Sequence, residues 1–189
     1  MTITLRPATA DDADLLVHVI DMAGEGLPRL LWADIGGPGA DPLEIGRERA
    51  RRDTGGFSWR NAEVAELDGR PAGALVTYLT DAEPEQPDAD TPDIFVPLMQ
   101  LEALAPATRY INAIGVLAWA RRQGVAGALM AAAAARPGPN GLSLIVADAN
   151  RGARALYDAI GFVETARRPI RPGRWQTASR DWVLMTRRF

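Results

Sequence analysis

Residues 110 to 130 read Tyr110-Ile-Asn-Ala-Ile-Gly-Val-Leu-Ala-Trp-Ala-Arg-Arg-Gln-Gly-Val-Ala-Gly-Ala-Leu-Met130. The opening run, Tyr110 to Leu117, has the length and apolar character of a buried strand. Arg121 and Arg122 then mark a loop, and small residues open an alanine-rich segment of helical length, Val125 to Arg136, stopped by Pro137-Gly138. Such a strand, loop and helix form an anion site, because the first turn of a helix has backbone N–H groups with no intrahelical acceptor and carries the positive end of the dipole. Gly124, Ala126 and Gly127 let a diphosphate come close to those amides, and the two arginines add full charge beside it. The same small side chains equally suit close packing of the helix on a sheet, so spacing alone leaves both readings open.

A second cluster follows, Asp148-Ala-Asn-Arg-Gly-Ala-Arg-Ala-Leu-Tyr-Asp-Ala-Ile-Gly-Phe162. Asn150 is a helix cap, Ala153, Leu156, Tyr157 and Ile160 fall on adjacent helical faces, and Gly161 suits the left-handed turn that ends a helix. On pattern alone Tyr157 reads as an amphipathic core aromatic.

The rest of the chain supplies a frame. Residues 2 to 6 alternate as a short strand ending at Pro7. A helix over Ala13, Leu16, Val17 and Ile20 is capped by Asp11 or Asp12 and ended by Gly24, Gly26 and Pro28. Leu30, Leu31 and Trp32 form an apolar knot, and Pro42 to Asp53 has a helical pattern with one charged side. Val64 to Leu67, Asp68-Gly69 and Pro71 to Tyr78 form a hairpin, since Asp-Gly supplies the positive φ angles of a tight turn. Residues 81 to 93 contain six acids, three prolines and no arginine, the composition of an exposed loop or of an acidic lip for a cationic substrate. A short helix over Val96 to Leu104, strands at Leu142 to Ala147, Phe162 to Arg167 and Trp182 to Arg188, and a helix at Arg151 to Ile160 complete the order. Helices alternating with strands after an early hairpin predict a three-layer α/β domain with a mixed sheet. No repeat or dividing linker is visible, so residues 1–189 read as one domain.

Composition excludes several chemistries. The chain has 189 residues, 47% of them hydrophobic, which suffices for a core without staples. There is no cysteine, hence no thiol nucleophile and no thiolate metal site, and the single histidine, His18, makes a histidine-rich metal site implausible, so no metal is expected. All 21 basic residues are arginine, which removes Schiff-base chemistry and lysine-dependent phosphate loops. A net charge of -3 argues against nucleic acid as a partner. No uncharged run has the length needed to cross a bilayer, and Met1 to Ala10 lacks the pattern of a secretion signal, so a cytoplasmic location without membrane partners is expected.

Together the two clusters resemble the GNAT family of acetyl-coenzyme A-dependent N-acetyltransferases. Arg121-Arg122-Gln123-Gly124-Val125-Ala126 is similar to its pyrophosphate loop, and Asn150, Ala153, Leu156, Tyr157, Gly161 and Phe162 to its second signature. Leu5-Arg6-Pro7-Ala8-Thr9 with Asp12 is similar to its first strand and helix entry. The resemblance implies a central, mostly antiparallel sheet of about seven strands, helices on both faces and a splayed strand pair. It also implies acetyl-coenzyme A as co-substrate, with the pantetheine arm on Ile114, Gly115 and Val116. The N–H groups from Gln123 to Ala128, those of Gly124, Val125, Ala126 and Gly127 included, would hold the pyrophosphate, flanked by Arg121 and Arg122. Asn150 and Ala153 would line the approach to the thioester, and Tyr157 would protonate the departing thiolate.

The accepting amine must lose a proton before it attacks, since an alkyl ammonium of pKa about 10.4 is almost fully charged at neutral pH. Some family members place a Glu near the start of the strand entering the loop, where this chain has Tyr110. Glu102 is the first candidate base and Asp93 the second, with a water ordered by Tyr110 and Asn112 as another route. Leu30, Trp32, Phe57, Trp59 and Trp175 are candidate walls of an acceptor pocket, or else core or dimer contacts. The tail from Arg167 to Arg188, with seven arginines and one acid, suits an acidic group on the acceptor or coenzyme, or a solvated strand face. The acceptor class is an amine of a small molecule or peptide, on a monomer or homodimer. Two rivals remain. A non-catalytic acyl-coenzyme A sensor needs no proton donor, and a dinucleotide-binding oxidoreductase needs a Gly-x-Gly directly after the strand, which is missing here.

Overall fold

The computed structural model describes residues 1–171 and 173–189. Its strands are β1 (Ile3–Pro7), β2 (Ala62–Leu67), β3 (Arg70–Leu79), β4 (Arg109–Val116), β5 (Leu142–Ala147), β6 (Val163–Pro169) and β7 (Asp181–Arg187). Its helices are α1 (Ala13–Ala23), α2 (Leu27–Gly36), α3 (Pro42–Ala50), α4 (Val96–Glu102), α5 (Val125–Ala134) and α6 (Arg151–Ala159). The seven strands form one open sheet in the order β1-β2-β3-β4-β5-β7-β6. β4 and β5 run parallel, and the β1–β2, β2–β3, β5–β7 and β6–β7 pairs are antiparallel. The expected mixed α/β fold is therefore present. The chain forms two compact units, residues 1–78 with 112–135 and residues 79–111 with 136–189.

In the first unit the β2–β3 hairpin turns at Asp68 (φ 51°) and Gly69 (φ 77°), the two positive angles that Asp-Gly supplies at little cost. Alternation along its strands divides the core. Ala62, Val64, Ala74 and Val76 share one face with Leu16, Val17 and Ile20 of α1 and with Trp32 of α2. Ala65, Leu67 and Leu75, also buried, fall on the opposite face by the two-residue period. α5 packs against β1 and β2. Gly24 ends α1, as expected. Pro28, expected to help end that helix, instead sits in the first turn of α2, where a missing N–H leaves no hydrogen bond broken. The apolar knot at Leu30, Leu31 and Trp32 is part of that same helix.

Arg6 joins three elements. Its guanidinium makes paired 2.8 Å bonds to Asp12 and a third, also 2.8 Å, to Glu66 on β2. Asp12 also accepts from the Thr9 N–H at 2.7 Å, so the carboxylate closes the turn that leads into α1. Arg6 first, and then that amide, hold the Asp12 carboxyl below its ordinary range.

In the second unit β5 and β7 are almost wholly buried, with Leu142, Leu144, Val183, Leu184 and Met185 at its core. Beside them lies a polar network not expected from the sequence. Thr108 Oγ1 lies 2.6 Å from Ser143 Oγ, the Thr108 N–H donates to Thr80 Oγ1 at 2.9 Å, and all three side chains are buried. Each hydroxyl has a partner there, so none carries a desolvation penalty alone.

Candidate functional site

The first unit holds the loop and helix head. β4 ends at Val116, a single 3-10 turn follows, and α5 starts after Gly124, whose φ of 87° is a left-handed angle that favours glycine. Gln123 ties the loop together, its amide donating to the Trp119 carbonyl at 2.9 Å. The first rung of the helical ladder is the Ala128 N–H to the Gly124 carbonyl at 3.0 Å. No side chain caps the helix, and among the described residues the amides of Val125, Ala126 and Gly127 have no partner. Ala128, expected among the amides that hold an anion, has its N–H committed to the helix, which narrows the group.

The packing alternative for the small residues can now be judged. A Cβ placed at Gly127 meets no atom within 4 Å, and Gly127 is exposed. A glycine in a helix costs about 1 kcal/mol against alanine, and here no neighbour requires it, so packing does not account for it. Gly115 differs: a Cβ there would lie 2.6 Å from Met22 Cε and 3.2 Å from Val19 Cγ1, so a side chain at this position would displace the end of Met22 on α1.

Arg121 is exposed and turned back. Its Nε donates to the Val116 carbonyl at 3.2 Å, and Nη2 lies 3.2 Å from Met22 Sδ. The Val116 carbonyl, expected to be open to a ligand, thus already has a donor. Arg122 is exposed at φ 61° and makes no ion pair among the described residues.

The register of β4 with β5 covers only Arg109 to Ile111, opposite Leu142 to Leu144, although β4 continues to Val116. The expected Ile114, Gly115 and Val116 lie beyond that register, on the part of β4 that belongs to the first unit.

The second unit holds the other cluster. Asn150 caps α6, its side chain accepting from the Ala153 N–H at 3.2 Å, so these two residues are engaged with each other. Tyr157 is only 7% exposed and packs against Phe162, with ring centroids 5.9 Å apart. Its hydroxyl has no hydrogen-bond partner among the described residues. No fully enclosed polar side-chain atom is left unpaired there, so that oxygen is the part of the side chain that opens outward. Burial pushes the phenol up to about 12, which keeps it protonated throughout the physiological range.

Glu102 ends α4 and is half-buried. It lines a cavity of about 200 Å³ together with Thr80, Asp81, Glu85 and Met99. Asp93 is exposed in the acidic loop, and Tyr110 is buried. Asn112, in the first unit, donates to the Gly56 carbonyl at 3.3 Å, an engagement that a purely water-ordering role did not anticipate. The expected acceptor walls separate: Trp32 is a core residue at 3% exposure, Phe57 and Trp59 pack partly on that core, Leu30 is half-buried, and Trp175 stacks on Trp182 at 5.4 Å. In the tail, Arg167 pairs with Glu164 and Asp181, so part of its charge is already balanced. A cavity of about 680 Å³ in the second unit, lined by Leu104, Pro137, Asn140, Arg188 and Phe189 among others, includes Arg188 from the arginine tail but none of the residues expected to hold the coenzyme or move a proton. No cluster of three metal-ligating side chains occurs among the described residues, and no helix there has the length and apolarity to cross a membrane.

An uncapped helix head after a strand and a glycine-containing loop fits a domain of the acyl-transferring class. A model of the acetyltransferase (GNAT) family matches residues 28–162, and the chain belongs to that family. No curated protein matches the sequence. Among solved structures, an N-acetyltransferase from Staphylococcus aureus Mu50 is similar over 96% of this chain and 98% of its own, at 16% identity and TM-score 0.64. The ribosomal-protein-S18-alanine N-acetyltransferase of Escherichia coli is similar over 97% and 92%, at 18% identity and TM-score 0.58. Arabidopsis thaliana NAA60, in complex with a bisubstrate analogue, is similar over 99% and 98%, at 17% identity and TM-score 0.58. At these identities the likeness is one of fold.

Proposed function

We propose that residues 1–189 act as one acetyltransferase domain that moves the acetyl group of acetyl-coenzyme A directly to an amine. The observation that carries this reading is the head of α5. Three consecutive amides there lack an acceptor, and the glycine among them faces open space. Amides so placed suit the pyrophosphate of the coenzyme, with Arg122 beside them as the available charge. Ile114 and Gly115 are assigned to the pantetheine arm, and Asn150 and Ala153 to the approach to the thioester.

The thioester supplies an activated carbonyl carbon, and the remaining steps fall to the chain. Glu102 is assigned to take the ammonium proton, in a cavity whose other carboxylates, Asp81 and Glu85, favour a cationic visitor. Tyr157 is assigned to donate its proton to the departing thiolate sulfur. A phenol displaced upward is a weaker acid than a free thiol in water, but the same desolvation raises the proton affinity of a thiolate held beside it. With no cysteine in the chain, no thiol can carry the acetyl group, which supports direct transfer with both substrates bound together.

Acetyl-coenzyme A raises the melting temperature on this reading, nicotinamide dinucleotides do not, and amines provoke release of the free coenzyme thiol. Stabilisation by the dinucleotides alone refutes the assignment. Binding of the thioester with no thiol release across a broad amine panel identifies a sensor instead of an enzyme.

A further inference from the structure

The arginines of α3 and the segment after it are mostly neutralised by named acids. Arg47 pairs with Asp14 and Glu44, Arg51 with Glu44, and Arg60 with Asp53. Arg49 and Arg52 have no carboxylate partner among the described residues. For Arg49 the helix offers none: its neighbours one turn away are Ile45, Gly46, Arg52 and Asp53, and Asp53 is taken by Arg60. Glu48 has the spacing to reach Arg52 but makes no ion pair with it among the described residues. Glu48 adjoins Arg49 in sequence and so points elsewhere on the helix. Arg49 is half-buried. Its partial desolvation, and then the charge of Arg52 nearby, push the guanidinium below its ordinary value. A half-buried cation beside a second cation attracts an anion, although the C-terminal end of α3 already stabilises positive charge in part.

The backbone around these residues is fastened. Ser58, 1% exposed, donates its hydroxyl hydrogen to the Arg52 carbonyl at 2.6 Å, and Asn61 donates to the Gly55 carbonyl at 3.0 Å. The same segment is tied to β4 and β3: Asn112 on β4 donates to the Gly56 carbonyl at 3.3 Å, and a Cβ at Gly56 would lie 3.2 Å from Cε1 of Tyr78 on β3. Asn112 stands two residues before Ile114, on the stretch of β4 assigned above to the pantetheine arm.

We infer that Arg49 and Arg52 form an anion subsite for the acceptor, and that the acceptor amine therefore carries a carboxylate. The inference rests on the acetyltransferase reading and adds the substrate class to it. The two arginines belong to the last turn of α3 and the residues after it, where unpaired carbonyls and the negative end of the dipole oppose a phosphate dianion more than a carboxylate. A planar guanidinium fork matches a carboxylate in shape and charge.

The test uses the full chain and matched pairs of amines: phenylalanine with phenylalaninamide, and glycylglycine with glycylglycinamide. Phosphoethanolamine serves as the phosphate arm. The readout is the ratio of kcat/KM for the acid to that for its amide. Arg49→Gln lowers this ratio about tenfold, the scale of one charged hydrogen bond lost, and Arg49→Lys restores part of it. Arg51→Gln, which alters an arginine already paired with Glu44, leaves the ratio unchanged and controls for general charge. A ratio insensitive to Arg49→Gln, no turnover of either acid, or a preference for phosphoethanolamine over both acids overturns the subsite. A thermal shift with acetyl-coenzyme A, measured on the same proteins, separates the two claims: its absence in the unaltered chain refutes the coenzyme reading, whereas its presence together with an unmoved ratio refutes the subsite alone.

Discussion

The N–H of Ala128 donates to the carbonyl of Gly124 at 3.0 Å, and with that bond the ladder of α5 begins. Everything ahead of it in the first turn is left to find a partner outside the helix. Gly127 lies between these two residues, its missing side chain facing open space. Gly127→Ala is therefore expected to stabilise the fold by about 0.5 to 1 kcal/mol, through helix propensity, while weakening acetyl-coenzyme A binding by crowding the amides. Urea denaturation and calorimetric titration of the same variant check both signs. A variant that gains stability and keeps full affinity refutes the role of that glycine.

Tyr157→Phe removes a hydroxyl that has no partner among the described residues, so its cost to stability at neutral pH is small, within about 0.5 kcal/mol. Turnover is expected to fall about a hundredfold with coenzyme affinity retained. Steady-state rates and a binding isotherm together test this. Unchanged turnover means that another group, or solvent, protonates the thiolate.

The same phenol makes an alkaline prediction. Burial raises it from 10.0 to about 12. Between those values the unfolded chain has released the proton that the folded chain still holds, so stability present below pH 10 declines as pH rises toward 12. The loss approaches roughly 1.4 kcal/mol per pH unit over this window. In Tyr157→Phe that part of the decline is absent. Denaturant midpoints at pH 9, 10 and 11 for the two proteins measure the difference.

Asp12 behaves in the opposite sense. Arg6 and the Thr9 amide lower its carboxyl, so the stabilisation is complete above the ordinary carboxylate value and is lost as pH falls through the displaced one. Asp12→Asn is expected to destabilise by about 1 to 3 kcal/mol, because Arg6 loses its paired acceptor. It should also remove part of the acid-induced loss of stability below pH 4. Melting curves from pH 3 to 7 decide it.

Asn150→Ala is expected to cost about 1 kcal/mol, since the Ala153 amide loses its acceptor. Asn150→Asp keeps the cap. If Asn150→Asp retains stability but loses turnover, Asn150 acts in the approach to the thioester as well as at the helix end. Equal turnover confines it to capping.

Most elements were legible in the sequence because each was dictated locally. The Asp68-Gly69 turn needs two positive φ angles, the apolar spacing of Leu16, Val17 and Ile20 marks the buried face of α1, and Asn150 and Gly161 bracket α6. Pro28 was misread because proline ends one helix and begins the next with equal ease, and only the neighbouring chain shows which. The Thr80, Thr108 and Ser143 network was invisible, since three hydroxyls far apart in sequence carry no periodic signal.

The amino-acid order by itself set the elements, the hairpin, the uncapped glycine loop and the chemistry excluded by a chain without cysteine or lysine, because these depend on backbone torsion and on which atoms are present. The fold decided which polar groups have partners and which small residues are crowded: that a side chain at Gly115 would meet Met22 while one at Gly127 would meet no described neighbour, that Arg121 is turned back onto Val116, and that Arg49 and Arg52 make no ion pair among the described residues. Those facts depend on distances between residues remote in sequence, and such distances exist only after the sheet and helices have packed.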